Sequence, residues 1–368
     1  MLKKIAGLSF VFALVLACSS SDDDSSSSSN GDGFDRSTLL VNWADNIIIP
    51  AYTDLEAKLS TLKTDKDVFV ATPNQANLET LRASWLEAYK VYQSVDMFYV
   101  GKAEEIQYNL QMNIYPTTVA DIENNISIGS YDLTSVNNQD AVGFPAVDYL
   151  LYGVAADDAS IVAKYADVNY QNYLSDVINR MQLLTETVLN DWTSNYRDSF
   201  VAQTGNSSTS SVNKIVNDYV NYYERDLRKA KIGTPAGVFS AGATFSDKVE
   251  GFYSKIYSKV LLDEALNATQ DFFNGEAYNS TSTGTSFVSY LSFLGRTDLS
   301  ETINTRFNNA RTTFQNLDAN LASQVETDNT KMTQTYDALQ LAVVSLKVDM
   351  MGAFQISLDS GYQDNDGD

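Results

Sequence analysis

Histidine is absent from all 368 residues of this chain. Without it no Ser-His-Asp or Cys-His nucleophile can be assembled, and neither can a zinc site that uses imidazole. A metal bound here must take oxygen ligands, which suit Ca, Mg, Mn or ferric iron rather than zinc. Cysteine occurs once, at Cys18, so no internal disulfide is available and the core alone must hold the fold. Only 5 prolines occur, which leaves long stretches free to run as helices. Basic residues are scarce: 25 Lys and Arg stand against 47 Asp and Glu, a formal net charge of −22. A field of that sign repels nucleic acid and anionic headgroups and draws cations, so nucleic-acid binding is not expected.

The chain opens in the order of an export signal. Lys3 and Lys4 form a positive start, and Ile5 to Leu16 is an apolar run broken only by Gly7 and Ser9. That run is too short to cross a membrane as a helix, which needs ~20 residues. It ends in Val15-Leu16-Ala17-Cys18, which resembles a lipobox, although Leu16 is larger than the usual occupant of its place. Residues 1–18 are therefore expected to be a lipoprotein signal peptide. Cys18 is expected to be the lipid-modified first residue of the mature chain, anchored in the bilayer by acyl chains worth ~0.8 kcal/mol per buried CH₂. Loss of Lys3 and Lys4 leaves 23 basic against 47 acidic residues, a net charge of −24.

Residues 19–33, almost all Ser, Asp and Gly, have little to bury and are expected to form a disordered tether. Ser19 follows the cysteine where an aspartate would favour inner-membrane retention. The Ser/Asp run resembles the surface-export tracts of outer-membrane lipoproteins. The expected location is the cell envelope, on the outer membrane, with exposure at the cell surface left open.

Beyond the tether the apolar residues recur every three or four positions. The stripes are Ile48, Ala51, Leu55, Leu59 and Leu62; Leu81, Trp85, Ala88, Tyr92, Val95 and Tyr99; Tyr170, Leu174, Val177, Met181, Leu184 and Val188; Val249, Phe252, Ile256 and Val260; and Met332, Tyr336, Leu339, Val343, Leu346 and Met350. Each places an apolar face on a helix, and no sustained two-residue alternation competes. The expected fold class is all-α, two antiparallel helical bundles packed together. Polar runs at 203–211 and 278–286 read as loops. A boundary near 205 divides the chain into an N-terminal bundle, 34–204, and a C-terminal bundle with an acidic tail, 205–368. The stretch 101–153 is richer in Asn, Thr, Ile and Gly and reads as irregular, the kind of connection on which sites are built.

Within that stretch lies Gly143-Phe144-Pro145-Ala146-Val147-Asp148-Tyr149-Leu150-Leu151-Tyr152-Gly153. It resembles the signature of the imelysin family, Gly-x-His-x-x-Glu followed by Tyr-Leu-Leu-Phe-Gly. Three further stretches support the resemblance. Trp85 to Tyr99 with Gly101 looks like the family's Trp-bearing helix and its Gly turn. Asp226 to Gly237 looks like its Lys-x-Gly-x-Pro-x-Gly segment. Val249-Glu250-Gly-Phe-Tyr-Ser-Lys looks like its acidic-aromatic-Ser helix start. The resemblance spans about residues 35–365 and implies paired helical bundles with a site between them. It also implies either a proposed peptidase or a part in iron uptake at the envelope, with the motif's His and Glu as metal ligands.

This sequence departs at both ligand positions, because Pro145 replaces the histidine and Asp148 the glutamate. Proline has no lone pair for a metal, and one carboxylate alone makes a poor site. The ordinary reading puts Pro145 in the first turn of a helix and Asp148 near its third position, facing free N–H groups. The alternative keeps Gly143, Phe144, Pro145, Asp148, Tyr149 and Gly153 as the wall of a cleft and Asp148 as a ligand group. Asp96, Glu104 and Glu105 are the other weak metal candidates, read otherwise as a solvated acidic face. The tail Asp364-Asn-Asp-Gly-Asp368 resembles the start of a calcium loop but ends before its glutamate. The 22 tyrosines, Tyr219, Tyr222 and Tyr223 among them, read as core or groove lining. No fixed cofactor is expected, with iron or another hard cation the candidate. The leading function is a non-enzymatic binding or accessory lipoprotein of iron-related uptake, its partners the bilayer and outer-membrane uptake components. Behind it stand an iron-uptake protein binding metal through oxygen ligands, and then a peptidase, for which no nucleophile, base or metal pair is recognisable.

Overall fold

A computed structural model describes residues 32–362. The signal peptide, Cys18, most of the tether and the tail 363–368 lie outside the described residues. Among the described residues the chain is all-α. The sole β pairing there is an isolated bridge between Glu276 and Thr283. No helix described is long and apolar enough to cross a membrane.

Four long helical rods organise the molecule, at 36–71, 168–202, 211–233 and 329–353, with shorter helices Gln75–Tyr92, Ser258–Asn274 and Thr297–Phe314 packed among them. Asp35 caps the first rod by accepting from the N–H groups of Ser37 and Thr38. Pro50 lies inside that rod and offers no N–H to the carbonyl of Asn46. The chain answers with a wider π-helical turn over Asn42–Ile48, and the Asn46 carbonyl accepts instead from the Tyr278 N–H at 2.9 Å. The helix irregularity thus becomes a tertiary contact.

The rod 36–71 lies against helix Gln75–Tyr92 and against Val168–Asp191. The second group is built from 211–233, Ser258–Asn274, Thr297–Phe314 and 329–353. The proposed boundary near 205 falls in the loop between Ala202 and Ser211. The apolar interior runs without interruption through both groups. Trp43, near the start of the chain, packs on Phe272 and Phe287 of the second group at ring distances of 5.2 and 5.0 Å. The stripes beginning at Ile48, Tyr170 and Met332 are buried at every position.

Two expected stripes end differently. The helix carrying Leu81, Trp85, Ala88 and Tyr92 stops at Tyr92, so Val95 sits in a turn and Tyr99 in irregular chain beyond it. The segment 249–257 is not helical. Gly251 and Lys255 take positive φ values of 68° and 60°, Ile256 is exposed, and the helix begins only at Ser258. The family-like helix start at Val249 is therefore a run of turns.

Candidate functional site

The segment 143–153 begins with a glycine that its surroundings require. Gly143 has φ +75°, and a Cβ there would lie 2.2 Å from the Met112 carbonyl oxygen. Pro145 occupies the first turn, as the ordinary reading expects, but Asp148 sits at the end of helix Gly143–Asp148 rather than near its third position. The chain continues as a π-helical turn over Tyr149–Gly153. The Leu150 carbonyl there accepts from the Tyr165 hydroxyl at 2.8 Å, and the Leu151 carbonyl accepts from Arg82 at 2.7 and 3.0 Å. Gly153 lets the Tyr253 ring approach, since a Cβ would meet it at 2.4 Å.

Asp148 is buried, and its partners lie far away in sequence. Oδ2 accepts from the Tyr253 N–H and Oδ1 from the Ser254 N–H, both at 2.9 Å. These N–H groups are free because 249–257 is not helical. Burial pushes the Asp148 carboxyl up to about 7, against the hydrogen bonds that favour its charged form. Asp148 is thus a clasp between the first and second halves of the chain.

The preceding turn residue, Glu250, is 3% exposed and anchors a second buried set. Its Oε1 accepts from the Tyr89 hydroxyl at 3.0 Å, Asn113 at 2.9 Å and Gln93 at 3.2 Å. Its Oε2 pairs with Lys231, which also donates to Gln93 Oε1 at 2.8 Å. A buried ion pair is tolerable only when its remaining donors and acceptors are met in this way. Tyr89 in turn stacks on Phe144 at 4.4 Å and 3°, and Trp85 Nε1 donates to the Phe144 carbonyl at 3.2 Å. All four family-like stretches therefore meet at one place: Trp85 to Gln93, Phe144 to Gly153, Lys231, and Glu250 to Ser254. Sequence reasoning singled out Asp148 but not Lys231, Glu250, Gln93 or Asn113. Lys231, Glu250 and Gln93 did stand inside its weaker motifs.

Three adjoining cavities follow this seam. One, of about 190 Å³, is lined by Pro145, Asp148, Tyr115, Asp247, Phe252 and Tyr253. The next, of about 240 Å³, shares Tyr115 with it and reaches Asp96 and Lys231. The third, of about 300 Å³, shares Asp96, Asn109, Leu110 and Asp226 with the second. Asp96 is buried and accepts from the Tyr92 hydroxyl at 2.7 Å; burial raises its carboxyl pKa. Glu104 and Glu105 are exposed and do not join it. They pair with Lys214 at 3.3 Å and Lys102 at 2.5 Å. Among the described residues no group of three or more His, Cys, Asp or Glu is placed to hold a metal ion. Tyr219, Tyr222 and Tyr223 are core residues, and Tyr222 also reaches the third cavity.

The sequence profile of the imelysin family matches residues 48–350. The chain belongs to the imelysin family. Two solved structures share its fold. A candidate iron-regulated protein A precursor from Parabacteroides distasonis ATCC 8503 is 16% identical with a TM-score of 0.72, over 86% of this chain and 94% of that one. An imelysin-like protein from Psychrobacter arcticum 273-4 is 17% identical with a TM-score of 0.71, over 88% of this chain and 96% of that one. No curated protein matches.

The metal pair that the imelysin signature implies does not fit the residues present here. Pro145 offers no ligand atom, and both oxygens of Asp148 already accept backbone N–H groups.

Proposed function

We propose that this imelysin is a non-enzymatic binding lipoprotein of the cell envelope, tethered through Cys18 and serving iron-related uptake. The observation that carries the reading is the clasp at Asp148. The signature carboxylate is held by two backbone N–H groups, and the cavity beside it has an aromatic and acidic wall of Tyr115, Phe252, Tyr253 and Asp247. A pocket with aromatic and acidic walls but no metal pair at the signature positions suits capture rather than hydrolysis. The fold shared with a candidate iron-regulated protein supports the link to iron, and the lipobox-like ending at Cys18 supports the envelope tether. An iron-binding role through oxygen ligands alone ranks second, because no described carboxylate cluster is placed for it.

The test is made in the native host. Immunoblots of membrane fractions should show the protein rise when a ferric chelator is added, and Cys18→Ser should move it to the soluble fraction. Purified protein should leave casein and the insulin B chain intact. A level indifferent to iron, or reproducible cleavage of either substrate, would overturn the reading.

A further inference from the structure

We propose that the third cavity, between residues 96–110 and the rod 211–233, binds a small organic cation carrying an ammonium or guanidinium group. The inference goes beyond the uptake reading, and it holds whether or not iron is the cargo.

Polar atoms without a hydrogen-bond partner gather around this cavity. Asp218 is 7% exposed; its Oδ1 accepts from the Tyr362 hydroxyl at 2.7 Å, while its buried Oδ2 has no hydrogen bond of ordinary geometry. Tyr222 is 2% exposed, and its hydroxyl is equally unpaired. Asn109 donates through Nδ2 to the Asp96 carbonyl at 2.8 Å, which fixes the amide and leaves Oδ1 unpaired. Asn221 Oδ1 makes the fourth. All four residues line the same cavity. A buried polar atom without a hydrogen bond costs about 1–3 kcal/mol, so four of them around one space mark a place that a ligand completes.

Their chemistry says which ligand. The two amide oxygens are acceptors only, and the Asp218 carboxylate and the Tyr222 hydroxyl can both accept, so a ligand that donates satisfies all four. Asp96, Asp218 and Asp226 add carboxylates to the same wall, so a cation is favoured. Lys231 is engaged with Glu250, and Arg225 at the rim acts on Asp226. Glu104 and Lys214 act on Asp218 from outside with opposite signs, and the nearby Tyr99 N–H favours its charged form.

A bare metal ion fits less well, because the cavity is about 300 Å³ and among the described residues no three carboxylates close on a point. Met97 and Leu110 offer apolar wall to an alkyl body, and the rings of Tyr99 and Tyr222 offer π faces to a cationic head.

Full-length protein in detergent would be titrated calorimetrically with agmatine and putrescine, and separately with calcium and ferric citrate. At least one amine should bind. Asp218→Asn and Tyr222→Phe should each weaken it tenfold or more, while Glu105→Gln on the exposed face leaves it unchanged. Both cavity variants keep the shape of the side chain, and circular dichroism checks their folding. Failure of both amines to bind at millimolar concentration would overturn the proposal. So would amine binding that survives both variants, or saturation of the cavity by a metal alone.

Discussion

Asp148 shows how much a single residue's role depends on partners the sequence does not reveal. Read alone, it suggests a helix-start carboxylate or a ligand. In the structure it satisfies two N–H groups more than a hundred positions along the chain. Asp148→Ala should orphan both, at about 1–3 kcal/mol for each buried N–H, and urea unfolding at pH 6 would measure the loss. The deficit should shrink as pH climbs from about 4 towards 7 and level off above that, because the wild type then bears the cost of an ionised buried carboxylate. Unchanged stability at pH 6 would show that the clasp contributes nothing. The departure at Pro145 was legible, because loss of the imidazole needs no structure to detect. Glu250 and Lys231 were not legible as partners, since nothing local in a sequence says that two buried charges will meet.

At the scale of elements, apolar spacing predicts burial better than it predicts where a helix ends. The stripes from Ile48, Tyr170 and Met332 are buried as their period requires. The spacing of Val249, Phe252, Ile256 and Val260 is equally helical, yet 249–257 turns through two positive-φ residues and gives its N–H groups to Asp148. A long-range acceptor outcompeted the local ladder. The π-helical turn at Asn42–Ile48 has the same logic, with Pro50 as its visible cause and the distant Tyr278 N–H as its hidden beneficiary. Asn42 reinforces that junction by donating to the carbonyls of Gly275 at 3.3 Å and Thr285 at 3.0 Å. Asn42→Ala should lower stability by about 1–3 kcal/mol. Hydrogen exchange should quicken first over residues 275–285, the part of the chain these bonds hold. Exchange that quickens evenly everywhere, or not at all, would contradict this role.

The whole molecule combines a strongly acidic surface with carboxylates buried along one seam, and the two act on stability in the same direction. Burial raises Asp148 to about 7 and Asp218 to about 8 from a starting value of 3.8, and it raises Asp96 and Asp226 as well. A carboxyl raised in the folded state binds its proton more tightly there than in the unfolded chain. Its contribution is therefore complete below the unfolded value and is lost as pH climbs through the folded one. Asp35, Asp132 and Asp158 are lowered by hydrogen bonds and so contribute the other way, losing their share only as pH falls through acid values below 3.8. Between about pH 5 and 8 the raised group governs, so the melting temperature should fall across that window and level off above it. The net charge of −22 adds self-repulsion, which salt screens. Calorimetric scans at low and high salt separate the two causes, because the fall due to buried carboxylates persists in high salt. Asp218→Asn should flatten the upper part of the curve near pH 8, since an amide at that position cannot ionise while its Oδ1 can still accept from Tyr362. A melting temperature that rises or stays level from about pH 5 to 8 in high salt would mean that the seam's carboxylates are already ionised in the folded protein. The acceptor-lined cavity would then hold its full negative charge even at pH 5, and amine binding should show no dependence on pH across that range.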